Sequence, residues 1–201
     1  AAMRRHAILA LLLGAFGSVI SPAQQRSAPP CPPPPAGYEA GLWQRAWTLH
    51  HDAILVDTHV DTTSRVLDFG FDMGQRATDG HVDLPRAHDG GLDAVFYSIY
   101  VDSRFFGDEA PLFAGPSVDI NADWPRPEPA GTPNGSARRA LAMIDGLVRT
   151  VDRHPQRMAL CTTADELQAA VRSGKHAALM GIEGGHAIEG ELSLLRLFHR
   201  L

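Results

Sequence analysis

The chain has 201 residues, an ordinary apolar share of 44%, a charged share of 20% and a formal net charge of -5. That is enough for one sizeable domain, and the acidic balance excludes the basic stripe that nucleic-acid binding requires. Ten histidines against two cysteines point to imidazole chemistry and away from a disulfide scaffold.

The first residues are built like an export signal. Arg4 and Arg5 precede an apolar run from Ala7 to Ile20, which closes on Ser21, Pro22 and Ala23. Residues 1–23 are therefore expected to be a signal peptide, and the protein to be periplasmic or secreted. A membrane anchor fits less well, because glycines interrupt the run and it falls short of the ~20 apolar residues a span needs. Residues 24–42, including "QQRSAPPCPPPPAG", favour polyproline II and read as a linker. Cys31 lies in that tract and Cys161 far from it, and spacing leaves their pairing open.

From about Trp43 the pattern alternates. "AILVDTHVD" is a short β-rich run; "DAVFYSIYV", residues 93–101, is a second, continuous enough to be buried on both faces; "AALMGIEGG", residues 177–185, is a third. In "GHVDLPRAHD", Asp83 before Leu84 and Pro85 reads as a helix cap, so His81 and Asp83 are assigned structural roles. Residues 102–135 are rich in Pro, Gly and Asp without a period; in a barrel a loop there would cover the carboxyl ends of the strands, where Phe105, Phe106 and Trp124 are pocket candidates, and a solvated insertion is an equal alternative.

Residues 136–154 place Ala137, Leu141, Ile144 and Val148 at helical spacing, with Ser136 as the cap. "TADELQAAVRSGK" opens on a capping box, Thr163 to Glu166, and stops near Gly174; "ELSLLRLFHRL" is a further helix. Alternation of this kind with short joints predicts an α/β fold with parallel strands and right-handed crossovers.

The chemistry concentrates in "ILVDTHVD". On a regular strand Leu55, Asp57, His59 and Asp61 share one face, and burying those ionisable groups unpartnered would cost several kcal/mol. A divalent metal would compensate them, since His and Asp two apart present a nitrogen and an oxygen together. H-x-D alone is common. Glu183, closing the third strand before Gly184 and Gly185, makes a shared site at one sheet edge the better explanation.

In this order, "VDTHVD", "HVDLPRAHDGGLDAVFYSIYV" and "GIEGGHAIEG" resemble the membrane dipeptidase (renal dipeptidase) family of zinc metallopeptidases, in the amidohydrolase superfamily, from about Ile54 to Leu201. The resemblance implies a (β/α)8 TIM barrel, of which residues 43–201 would supply about the first three β/α units. It implies two Zn2+ ions, His59 and Asp61 as ligands of one, and Glu183 as the bridging carboxylate and catalytic residue. It also implies a metal-bridging hydroxide that attacks dipeptides, with tolerance of a D-residue at the carboxyl-terminal position. Asp57 is read as an orienting neighbour of these ligands. His186 need not face the metals.

The family's later ligands, two histidines, and its substrate-binding groups are expected beyond Leu201, since a closed barrel takes ~250 residues. The chain is thus read as the amino-terminal part of a longer protein and, by itself, as inactive. The expected partner is a small peptide; a homodimer is compatible with the sequence, and membrane association is left open. Two rivals stand: another amidohydrolase acting on non-peptide amides or esters, although those commonly begin with H-x-H, and an inactive fragment lacking the later histidines.

Overall fold

A computed structural model describes residues 29–102 and 135–201. The expected signal peptide and the loop candidates Phe105, Phe106 and Trp124 lie outside the described residues.

Four parallel strands form one sheet: β1 (Val56–Val60), β2 (Ala94–Tyr100), β3 (Met158–Leu160) and β4 (His176–Glu183), in the order β1-β2-β4-β3. The parallel α/β architecture matches the sequence pattern, and β1, β2 and β4 are the three strands expected. β3 was not foreseen. Three residues leave no room for a period, and β3 pairs only with the start of β4, at the outer edge of the sheet.

Six α-helices accompany the strands among the described residues: α1 (Ala40–Asp52), α2 (Thr62–Phe69), α3 (Leu84–Asp89), α4 (Ser136–Arg153), α5 (Ala164–Arg172) and α6 (Leu192–Phe198). Helix α5 carries the predicted capping box, with Thr163 and Glu166 each accepting from the other's backbone N–H. Asp83 caps α3 as predicted: it accepts from Arg86 N at 2.8 Å, and Pro85 sits in the first turn.

The odd-numbered residues of β2, Val95, Tyr97 and Ile99, and Val101 just after it are fully buried. They pack with Leu147 and Met158 in one cluster and with Ala140, Met143 and Ile144 in another. Burying a side chain of that size is worth about 1.5–3 kcal/mol, so this sheet-to-α4 layer is the main cohesive contact. The buried stripe of α4 differs from the expected one. Leu141 is exposed, and Ala137, Ala140, Met143, Ile144 and Leu147 form the stripe. Ser136 is also not the cap, since it is the first helical residue; the orphan N–H of Ala137 is met at 2.8 Å by the Glu189 carboxylate, far along the chain.

Helix α1 begins at Ala40, inside the stretch read as linker, with Glu39 accepting from Gly41 N and Leu42 N. Those bonds hold the Glu39 carboxyl below its ordinary value. The proline tract lies along this helix: the indole N–H groups of Trp43 and Trp47 donate to the carbonyls of Pro32 at 2.7 Å and Pro29 at 2.9 Å. Polyproline II leaves its carbonyls unpaired, which suits it to such donors. Cys31, in the tract, and the buried Cys161 are both free thiols.

A candidate metal centre at the carboxyl ends of the strands

Strand β1 does not follow a strict alternation. Val56 and Asp57 pair with Ala94 and Val95, but Val60 pairs with Tyr97, so β1 carries one extra residue between Asp57 and Val60. Such a bulge re-aims a side chain and leaves a backbone group without its ladder partner. The Asp57 carboxylate fills that gap, accepting from the His59 backbone N–H at 2.9 Å. Asp57 therefore holds the bent backbone of His59 and is not itself in the cluster.

Asp61 lies beyond the strand, as the N-cap residue of α2. An N-cap aspartate ordinarily accepts from the first-turn N–H groups, yet Asp61 makes no side-chain capping bond. Its carboxylate turns to the sheet end, where Oδ1 lies 3.4 Å from His59 Nε2. Glu183 closes β4, two strands away from β1, and its Oε2 lies 3.1 Å from the same nitrogen. One ligand atom from each of His59, Asp61 and Glu183 falls within 4.8 Å of the others. Gly184 supports the turn after the strand: it has φ +88, and a Cβ there would run into the His186 ring.

Burial is not what calls for a partner at His59, Asp61 and Glu183. Their side chains are 53%, 63% and 45% exposed, so the cost of burial does not apply. Acceptor crowding does. Two carboxylates and an imidazole bring more acceptor atoms than donors to one place, and no lysine or arginine ion pair is made by Asp61 or Glu183 among the described residues. A divalent cation that takes nitrogen and oxygen ligands meets that excess, and the donor set fits zinc.

The other sequence candidates fall elsewhere. His186 Nε2 lies 2.9 Å from the carbonyl oxygen of Val101, and its ring meets the Tyr100 ring edge-on, so it ties the turn after β4 to the end of β2. His81 is exposed and Asp83 is the fully buried cap, as their structural reading requires. Sequence reasoning missed Ser98, whose buried hydroxyl donates to Glu183 Oε2 at 2.9 Å. The signal was present: Ser98 is the lone aliphatic hydroxyl in "AVFYSIY".

The family model described as membrane dipeptidase (Peptidase family M19) matches residues 43–201. A dipeptidase of Claviceps purpurea is 36% identical over 122 residues, which are 61% of this chain and 24% of that protein. A crystal structure of a metallo-peptidase from Rhodobacter sphaeroides, liganded with a phosphinate mimic of the dipeptide L-Ala-D-Ala, is 28% identical with a TM-score of 0.55; the match covers 73% of this chain and 42% of that one. The probable dipeptidase PvdM of Pseudomonas aeruginosa shares the fold, with 19% identity, a TM-score of 0.58 and coverage of 80% and 36%. The chain thus spans about a quarter of the curated relative and about two fifths of these solved ones, and the likeness is to a TIM-barrel-like α/β fold.

Proposed function

Because the chain belongs to the membrane dipeptidase family, we propose that the protein of which it is part is a zinc-dependent dipeptidase, with His59, Asp61 and Glu183 as the ligands supplied from this chain. The observation that carries the reading is the meeting of one imidazole nitrogen and two carboxylates, brought from β1 and β4 to the same end of the sheet.

Each residue has a task its surroundings support. His59 offers Nε2, and the bond from its own N–H to Asp57 fixes the backbone that carries it. Asp61 keeps its carboxylate out of the α2 cap, so its oxygen lone pairs are not taken by first-turn N–H groups and can face a cation. Glu183 closes β4 beside the β1 ligands and, as the family resemblance implies, would be the carboxylate shared by two ions. Two zinc ions bound there would supply a hydroxide nucleophile at neutral pH and polarise the scissile carbonyl. The substrate class is a dipeptide, and the L-Ala-D-Ala mimic held by the Rhodobacter sphaeroides relative makes a carboxyl-terminal D-residue the first choice.

We assign residues 1–23 to an export signal and 43–201, the residues the family match covers, to the amino-terminal part of the barrel; of the stretch 24–42 read as linker, Ala40 to Leu42 already belong to α1. No helix among the described residues is long and apolar enough to cross a membrane. The test is the zinc content of the full-length protein together with its rates on L-Ala-D-Ala, on L,L-dipeptides and on lactone and ester analogues. Zinc-dependent dipeptide hydrolysis is expected. Turnover of lactones or esters with none of dipeptides would replace this reading with that of a non-peptide amidohydrolase.

A further inference from the structure

Strand β2 supplies none of the three metal-ligand candidates, yet it lies between the two strands that lead to them. On the face of β2 that carries Tyr100, the register partner of Glu183, the buried hydroxyl is that of Ser98, which is 3% exposed. The Ser98 hydroxyl donates to Glu183 Oε2 at 2.9 Å, the oxygen that also faces His59 Nε2. The Ser98 backbone is held in turn, because the Thr63 hydroxyl donates to its carbonyl oxygen. Thr63 is buried and lies two residues after Asp61, in the first turn of α2. One set of side-chain bonds therefore links the α2 start beside Asp61, the middle strand and the Glu183 carboxylate.

Tyr100 stands opposite Glu183 in register, and Ser98 comes one pair earlier on the same face of β2. Ser98 is paired in register with Gly181, which stands two residues before Glu183 on the same face of β4. A Cβ at Gly181 would meet no atom of the described residues within 4 Å, so at that position β4 itself offers Glu183 no side-chain neighbour. A carboxylate on an open strand end has several rotamers of similar energy, and a buried donor aimed at one oxygen selects among them.

We propose that Ser98 is the positioning residue of the metal centre, holding Glu183 Oε2 in the orientation in which the carboxylate can be shared between two ions. The proposal rests on the zinc dipeptidase reading above. Partners that orient a ligand from behind typically contribute 10–100-fold in metal affinity or activity.

The test uses the full-length protein, its Ser98→Ala variant and Ser98→Thr, which keeps the hydroxyl. Zinc affinity is measured by chelator competition, kcat and KM on L-Ala-D-Ala at saturating zinc, and the unfolding temperature with and without EDTA. Ser98→Ala is expected to lose roughly 10–100-fold in zinc affinity and about 10-fold in kcat. KM should stay within about twofold, and the EDTA-treated unfolding temperature within about 3 °C of the parent. Ser98→Thr should recover most of the zinc affinity. Parental zinc affinity and kcat in Ser98→Ala would overturn the proposal. So would a loss confined to the EDTA-treated unfolding temperature, with the zinc-induced rise intact, since that marks a packing role only. A parent protein that takes up no zinc and cleaves no dipeptide would instead sink the functional reading, and this inference with it.

Discussion

The two ends of the sheet use the same residue types to opposite effect. Near the amino-terminal end, His176 Nδ1 lies 3.2 Å from the Leu92 carbonyl oxygen and Nε2 lies 3.0 Å from the Tyr97 hydroxyl. A ring protonated at Nδ1 donates to the first and accepts from the second, so donors and acceptors balance. Asp93 accepts from Leu55 N, and Asp83 accepts from Ala77 N and from Arg86 N and Nε. At the carboxyl-terminal end, His59, Asp61 and Glu183 face one another with acceptors in excess and remain exposed. Histidines and acids thus mark a site only where their hydrogen-bonding capacity is left over. The buried amino-terminal set is part of the scaffold.

The largest expected effect would break the comparison if it failed. In the full-length protein, His59→Ala and Glu183→Ala should each lower kcat/KM for dipeptides by more than the 10–100-fold typical of supporting partners. With metal removed by EDTA, both variants should unfold within about 3 °C of the parent. Substantial turnover in either, measured with zinc in excess, would remove that residue from the centre.

The amino-terminal set should respond in the reverse sense. Asp83→Ala removes a cap and leaves Arg86 without its carboxylate, and is expected to cost about 3 kcal/mol in a denaturant titration, with zinc affinity unchanged. Burial by itself would raise the Asp83 carboxyl; the Ala77 and Arg86 N–H groups and the Arg86 guanidinium overcome it and hold the group below the ordinary carboxylate range. A lowered folded value gives stability that is present above the unfolded carboxylate pKa of about 3.9 and is lost as pH falls through the folded one. Asp83→Asn should therefore flatten the acid limb of a stability-against-pH curve, and an unchanged limb would contradict this assignment.

The smallest change sharpens the same point. Tyr97→Phe leaves His176 Nε2 buried without its donor and should cost roughly 1–2 kcal/mol in the same titration. Burial, with the Asp57 charge adding to it, raises the Tyr97 hydroxyl above the ordinary tyrosine value. Its contribution is therefore full below about pH 10 and is lost above that, as the unfolded chain ionises first. Alkaline unfolding of the parent, followed by tyrosinate absorbance, should be steeper than that of Tyr97→Phe.

How far the fold could be read depended on periodicity and burial. β2, β4, α5 and the Asp83 cap were legible because each couples a local pattern to an unambiguous start or stop signal. α1 was not, since it buries no residue and its Trp43 and Trp47 serve the proline tract instead of the core. α2, "TTSRVLDF", opens on two β-branched threonines of modest helix propensity; packing on α4 and β2 and the left-handed Gly70 after it set its limits. The face of α4 was misjudged at Leu141 because helical spacing admits more than one stripe, and only contact with the sheet chooses between them.

By itself, the sequence determined the class of the fold, the identity of the three residues that meet and the cap that closes the amino-terminal side, because these rest on local pattern and on residue chemistry. Only the tertiary structure decided that β1 bulges between Asp57 and Val60, that Asp61 withholds its carboxylate from the α2 cap, and that Ser98 reaches Glu183 across the β2–β4 pair. Each of these depends on register between strands distant in the chain, and no local periodicity encodes where two such strands will align.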